Sequence, residues 1–190
     1  IASVYHFSNA LKKNVGWHLV AACLYAGCAV MTKGIFTLIP IGGAIAGQLI
    51  ITKNWKQLFH WKWLIAGVLV ALFITPELYS LWYQFDQHPE KLVFRKNNVS
   101  GIRFFLWDSQ FGRFANSGPI KGKGDPTFFF HTLLWAFLPW SLLMYAAVAN
   151  KIRSGFKKIK ADETLIAEWF TLSASLLTLL IFSLSKFQLP

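Results

Sequence analysis

Five long apolar runs dominate this sequence and restrict it to folds in which whole helices are surrounded by apolar material. The runs cover residues 16–31, 35–52, 63–83, 128–149 and 165–184. Stretches such as "LVAACLYAGCAVM" and "LLTLLIFSL" lack the polar residue at every third or fourth position that a surface helix of a soluble protein shows. Because 55% of the residues are hydrophobic and only 14% are charged, the chain is predicted to be an all-α integral membrane protein.

The runs differ in length relative to a bilayer. A helix needs roughly 20 residues to cross a hydrocarbon core of ~30 Å, so the first two runs are short and the other three are adequate. We expect about five transmembrane helices, with residues 84–127 forming one long loop outside the membrane. Residues 1–190 are interpreted as part of a single transmembrane domain.

The basic residues predict the orientation of these helices. If the five runs alternate in direction, ten of the Lys and Arg residues fall on one side, in short segments beside helix ends, where positive charge marks the cytoplasm. They are Lys12, Lys13, Lys53, Lys56, Lys62, Lys151, Arg153, Lys157, Lys158 and Lys160. The long loop 84–127 is then placed on the non-cytoplasmic side.

The two ends of the chain suggest an internal fragment of a longer protein. The sequence opens without Met, has no recognisable signal peptide, and stops just after an apolar run. Cys23 and Cys28 lie within one apolar run and on different helix faces, so they predict neither a disulfide nor a metal pair.

The third long run is expected to leave the membrane at "FITPELYSLWYQFD". Pro76 should bend or end the helix, since it lacks a backbone donor. Glu77 either reaches towards the interface or lines a polar cavity. In the loop, residues 102–106 predict a short amphipathic helix on the membrane surface, and "WDSQFGRF" brings Asp108 and Arg113 close together.

Two cations stand apart because each lies at the outer end of an apolar run with no acid nearby in the sequence. They are Lys33 in "MTKG" and Lys186 in "SLSKFQLP". Their position predicts a phosphate-bearing lipid as partner, whose anion lies at the depth of those helix ends. The net charge of +11 is no argument for nucleic acid, because no basic soluble module or docking motif is visible.

Four motifs in order resemble a known enzyme family. "MTKG", "WDSQFGRF", "FLPWSLL" and "FSLSKFQLP" are similar to segments of bacterial glycosyltransferases related to protein O-mannosyltransferases. This family includes the lipid A aminoarabinose transferase and belongs to the GT-C superfamily. The resemblance covers nearly the whole chain.

The resemblance implies transfer of a sugar from a polyisoprenyl-phosphate carrier to an acceptor, which could be a lipid, a glycan or a protein. It places the enzyme in the inner (plasma) membrane as a multi-pass protein with its active side facing the periplasm or exterior. The catalytic acid of the family lies in an early outer loop, upstream of this segment.

The resemblance also assigns roles to particular residues. It implies that Lys33, Arg113 and Lys186 bind the donor phosphate, and that Gly34 allows backbone and lipid to approach closely. Asp108 stands near a position where relatives have an acid, and with Glu77 it is a candidate to line the site. The resemblance makes a divalent metal possible. Because "KGKGDPTFFF" lacks the expected His and Tyr residues, no metal or other cofactor is assigned to this segment.

Two alternative functions remain open at this stage. A transporter or flippase for a lipid-linked anion would also place cations near membrane helices and use Gly-rich crossings such as "PIGGAIAG". In a structural membrane subunit, Lys33, Arg113 and Lys186 would only anchor helix ends at the membrane interface. This class is disfavoured, because such a subunit would not need cations at outer helix ends or so aromatic an outer loop.

Overall fold

The computed structural model describes residues 1–13, 16–93, 96–117, 122, 125–154 and 163–185. These residues fold into helices and turns, and their β structure is limited to one isolated bridge between Val93 and Lys96. The all-α class predicted from the apolar runs is therefore confirmed for the described part of the chain. Its division into one membrane domain with an outer loop stays a prediction.

The helices follow the apolar runs closely at most boundaries. In chain order they are α1 (Ala2–Lys13), α2 (Gly16–Lys33), α3 (Leu38–Ile51), α4 (Trp55–Leu58), α5 (Lys62–Leu81), α6 (Gly101–Arg103), α7 (Phe111–Phe114), α8 (Phe128–Ala136), α9 (Trp140–Ser154) and α10 (Glu163–Ser183). A 3-10 turn, Ile35–Thr37, precedes α3, and π-helical turns at Trp82–Asp86 and Phe104–Asp108 extend α5 and α6.

The core lies between α1, α2, α3, α5 and α10. Small residues let these helices approach closely, with Ala22 and Ala26 of α2 fully buried beside Ala44 of α3. At Gly27 of α2 an added Cβ would lie 2.9 Å from the Cβ of Phe73 on α5. Without a hydrophobic driving force inside lipid, such close backbone contact is a main source of helix association.

Helix α3 packs closely against α10, and two glycines spaced four residues apart allow this contact. A Cβ added at Gly47 would lie 2.2 Å from Cβ and Oγ of Ser173, and one at Gly43 would lie 2.8 Å from Leu177. The small-xxx-small spacing puts both glycines on the face of α3 that meets α10.

The outer surface of α5 is strongly apolar. Leu64, Val68 and Leu72 follow one another at intervals of four residues and are 73%, 61% and 62% exposed. A continuous apolar face of this kind needs lipid or further protein against it.

One helical stretch in the described residues, Trp55–Asp86, is long and apolar enough to cross a membrane. Ile35–Ile51 and Ala167–Ser183 are apolar but shorter. The prediction of about five membrane spans therefore stays a prediction.

Two of the apolar runs differ from expectation near a proline. Of the two alternatives predicted for Pro76, an end to the helix is wrong: α5 continues to Leu81, because only one backbone donor is lost and the next turns keep their hydrogen bonds. The run 128–149, expected to be one span, is interrupted by a turn before Pro139 and divides into α8 and α9. Ser141 Oγ, which is fully buried, bridges this interruption by donating to Leu134 O at 2.9 Å.

The outer loop contains the short helix expected at residues 102–106. Helical backbone runs from Gly101 through Asp108, and the Ser100 side chain accepts a hydrogen bond from the Arg103 N–H at its start. The carboxylate of Asp86 accepts from the Gly101 N–H at 3.0 Å and ties this helix to the end of α5. Its position relative to a membrane surface stays a prediction.

Asp125 lies where the loop returns to the apolar helices. Its carboxylate accepts hydrogen bonds from the backbone N–H and the hydroxyl of Thr127, both at 2.9 Å. These bonds, the backbone one foremost, lower the pKa of this exposed carboxyl from its ordinary value.

A test of the α3–α10 contact is to add one methyl group at its tightest point. Gly47→Ala is expected to destabilise the protein by about 1–3 kcal/mol, the typical effect of overpacking. Thermal unfolding in detergent would measure the change.

The matched control is Gly42→Ala on the exposed side of the same helix, where no atom lies within 4 Å. It should be neutral or slightly stabilising, since Ala favours helix over Gly. Equal unfolding midpoints for the two variants would contradict close packing at Gly47.

Candidate functional site

A cavity of about 420 Å³ lies where three sequence motifs meet. It is bounded by the end of α2 and the start of α3, by the segment leading into α7, and by the end of α10. The described lining residues are Lys33, Phe36, Thr37, Pro40, Ser109, Gln110, Phe114, Thr178, Phe182 and Ser185. Segments far apart in sequence, "MTKG", "WDSQFGRF" and "FSLS", thus share one cavity.

Lys33 is the last residue of α2 and is exposed at the edge of this cavity. The C-terminus of a helix carries partial negative charge on its unpaired carbonyl groups, so a lysine is favourable there. The end of the first apolar run, where the sequence places Lys33, is therefore the end of α2. The Lys33 ammonium group remains accessible to an anion in the cavity.

Gly34 makes the turn from α2 into the 3-10 turn that precedes α3. Its backbone has φ +82° and ψ −179°, a conformation that is essentially restricted to glycine. Its N–H donates to Val30 O at 2.7 Å. The side chain of Gln110 packs against its α-carbon, so that an added Cβ would lie 2.2 to 2.5 Å from the Gln110 amide.

Phe36 is the common contact of the three segments. Its ring meets Phe111 and Phe114, which flank "GR" in α7, with centroid distances of 5.7 and 5.8 Å, and meets Phe182 of α10 at 6.0 Å. All three pairs are edge-on, the arrangement favoured by aromatic quadrupoles and worth about 0.5–1.5 kcal/mol each beyond burial. Phe36 therefore holds the three motifs together at the wall of the cavity.

Chain neighbours of Arg113 and Lys186 line the same cavity. The backbone of Arg113 lies in α7, next to Phe114, which lines the cavity. Lys186 lies outside the described residues and directly follows Ser185, which also lines it. The segments that contain all three predicted phosphate ligands therefore come together.

Two further candidates do not join this site. Asp108 forms an ion pair with Arg103, with Oδ2 3.8 Å from Nε; the Arg103 side chain is exposed and the Asp108 side chain is partly buried. Glu77 is half-buried in the penultimate turn of α5. Among the described residues that line the cavity, neither appears.

The cavity is suited to an anion by its composition. Of its described lining residues, none is acidic, one is a lysine, and the others with polar side chains bear hydroxyl or amide groups. The hydroxyls of Thr37 and Thr178 donate to helix carbonyls, Gly34 O and Ala174 O. In the described part of the chain, no three His, Cys, Asp or Glu side chains are grouped as metal ligands.

The sequence analysis did not identify Phe36, Gln110 or Phe182 as site residues. Each is a common residue type in an apolar part of the sequence. Only its contacts in the folded structure show that it belongs to the site. The signal present in the sequence was their position: Gln110 lies within "WDSQFGRF", Phe182 begins "FSLSKFQLP", and Phe36 lies two residues after "MTKG".

Comparison with known proteins gives one informative similarity. No family model matches the chain, and no solved structure gives a significant match. The chain is 31% identical over 178 residues to undecaprenyl phosphate-α-4-amino-4-deoxy-L-arabinose arabinosyl transferase 1 of Pseudomonas fluorescens (strain Pf0-1). The match covers 92% of this chain and 26% of that relative.

That relative is named as an arabinosyl transferase whose sugar is linked to undecaprenyl phosphate. Since the chain spans only 26% of the relative's length, the activity of the whole protein is a matter for proposal.

The Gly34 turn can be tested by one substitution. Gly34→Ala should destabilise the protein by about 1–3 kcal/mol, because alanine is strained at this φ and ψ. Thermal unfolding would measure the loss, and Gly67→Ala, with no atom within 4 Å, should show none.

A second background separates strain from steric contact. In Gln110→Ala protein the neighbouring amide is absent, so Gly34→Ala should still lose most of the same stability. Full recovery in that background would show that contact with Gln110, and not the backbone conformation, excludes a side chain at position 34.

Proposed function

We propose that this chain forms part of a glycosyltransferase that takes a sugar from a polyisoprenyl-phosphate carrier, and that the cavity at Lys33 receives the carrier phosphate. The observation that favours this proposal most is the meeting of "MTKG", the α7 segment and the end of α10 around Phe36. The similarity to a transferase whose name specifies an undecaprenyl-phosphate-linked sugar agrees with it.

The chemistry of sugar transfer explains why a cation is needed here. As the bond between the anomeric carbon and the phosphate oxygen breaks, negative charge grows on the phosphate leaving group. A fixed ammonium beside that group stabilises the transition state more than the ground state. Lys33 would supply this charge from the end of α2.

Arg113 and Lys186 complete the proposed phosphate site. A guanidinium group offers planar, two-pronged donation to phosphate oxygens, which a lysine cannot match. The acceptor, a lipid, glycan or protein, would lose its proton to a carboxylate that acts as general base and that we expect upstream of this segment. Transfer would take place on the non-cytoplasmic side of the inner membrane.

Removal of the cations tests the phosphate site. Lys33→Ala and Arg113→Ala should each reduce transition-state stabilisation by roughly 2–4 kcal/mol, comparable to removing one donor from a preorganised anion site. The double variant should lose much less than the sum, because both residues act on one group. The measurement is sugar transfer from the lipid carrier by the intact protein at saturating acceptor.

Charge-preserving variants and a distant lysine serve as controls. Arg113→Lys should remain clearly impaired, whereas an interface anchor would tolerate the exchange. The Lys56→Ala variant should transfer sugar normally, because Lys56 is exposed in α4 at the opposite end of the helices. Near-normal sugar transfer by both the Lys33→Ala and the Arg113→Ala variant would refute the phosphate site. If the unmodified protein moved the carrier across the membrane without transferring sugar, a transporter would be favoured instead.

The orientation follows from the distribution of basic residues and can be tested in intact cells. Single cysteines at Ser117 and Ser154, in protein lacking Cys23 and Cys28, would be exposed to an impermeant thiol reagent. Labelling is expected at 117 and not at 154, because short basic segments stay in the cytoplasm. The reverse pattern would place the proposed site on the cytoplasmic side.

A further inference from the structure

The cavity at Lys33 has polar groups of a second kind besides its lysine. Hydroxyl groups line it from separate elements: Thr37 belongs to the 3-10 turn before α3, Ser109 to the segment leading into α7, and Thr178 to α10. Each of these residues is half-buried. Neutral oxygen atoms are therefore distributed around the wall, and they are not needed to balance the charge of a phosphate.

The proton of each of these hydroxyls is already used inside the protein. Thr37, Ser109 and Thr178 each donate to the carbonyl of a residue three or four positions earlier in the chain, at 2.9, 2.9 and 2.7 Å. A hydroxyl has one proton and two lone pairs. A ligand in the cavity therefore meets lone pairs on these oxygens, and it can form hydrogen bonds with them only as a donor.

Gln110 adds a further hydrogen-bond acceptor to the same wall. Its amide nitrogen donates to Ser109 Oγ at 3.1 Å, and its side chain packs against Gly34, so both contacts restrict its orientation. Within the described ranges of the chain, no group donates to its amide oxygen. The wall thus combines one described cation, Lys33, with several neutral oxygens that accept hydrogen bonds.

We propose that these oxygens bind the sugar of the donor, and that they select a sugar with O–H or N–H groups and no carboxylate. This inference rests on the proposed function, in which Lys33 holds the carrier phosphate in the same cavity. A neutral or amino sugar donates hydrogen bonds to the lone pairs of Thr37, Ser109, Gln110 and Thr178.

A uronic acid fits this wall poorly. Its carboxylate only accepts hydrogen bonds, so its charged oxygens would face lone pairs after losing their water. To donate to the carboxylate, a hydroxyl of the wall would have to give up its present hydrogen bond to a carbonyl. The loss of one such bond corresponds to roughly a tenfold loss of affinity.

Binding of matched donors to the intact, detergent-solubilised protein tests the proposal. The probes are a short polyprenyl phosphate without sugar, the same carrier with glucose, and the same carrier with glucuronic acid, measured by native mass spectrometry. Glucose and glucuronic acid differ only in the group at C6, a hydroxymethyl or a carboxylate. The glucose donor should bind about tenfold more tightly than the glucuronic acid donor, and a galactose and galacturonic acid pair should show the same preference.

Substitution of the wall hydroxyls tests their part in this preference. Thr37→Val and Thr178→Val keep the side-chain shape and remove the oxygen, so each should reduce the preference for the neutral sugar roughly three- to tenfold. Thr178→Ser should retain it. Thr52→Val is the matched control, because Thr52 also donates to a helix carbonyl at 2.9 Å but does not line this cavity. Its preference should be unchanged.

The bare carrier separates this inference from the function on which it rests. Every threonine variant should bind the carrier without sugar as the unmodified protein does, which also shows that the variant is folded. Normal carrier binding with equal or tighter binding of both uronic acid donors would overturn the sugar selection and leave the phosphate site intact. An unchanged preference in both Thr37→Val and Thr178→Val would do the same. If neither the carrier nor any donor bound, the proposed function would fail, and this inference with it.

Discussion

The edge-on contacts of Phe36 are the interaction on which the candidate site depends. Three segments that are distant in sequence meet where one ring touches Phe111, Phe114 and Phe182. This contact helps to bring Lys33 and the backbone of Arg113 to the same cavity. The packing of Gln110 against Gly34 is a second link between the first motif and the segment that leads into α7.

A second constraint, close backbone packing, places α10 so that its end reaches that framework. Gly43 and Gly47 allow α3 to lie directly against Ser173 and Leu177 of α10. The start of α3 and the end of α10 therefore lie at one end of the helices, where Pro40 and Phe182 line the same cavity. Small residues in the core thus determine how the start of α3 and the end of α10 are positioned around the cavity.

Much of the fold could be predicted because apolar periodicity directly reports helices. The positions of α2, α3 and α5 follow their runs, and Lys33 lies at the end of one of these helices, as its place at the end of an apolar run predicts. The continuation of α5 past Pro76 and the division at Pro139 could not be predicted, because the same residue type is tolerated in one helix and ends another according to neighbouring contacts. In the site, charged candidates stand out in an apolar sequence, whereas Phe36 and Gln110 acquire meaning only from long-range contacts.

The division of residues 128–149 into two helices has a further consequence for how this segment crosses a bilayer. At 1.5 Å per residue, the nine residues of α8 extend about 13 Å and the fifteen of α9 about 22 Å, so neither traverses the hydrocarbon alone. Within lipid, carbonyl groups released at such an elbow need replacement donors. The hydroxyl of Ser141 supplies one of them, to Leu134 O, and the hydroxyl of Tyr145 in α9 donates to Phe130 O in α8. One side-chain hydroxyl thereby takes the place of a backbone amide at the break between the two helices.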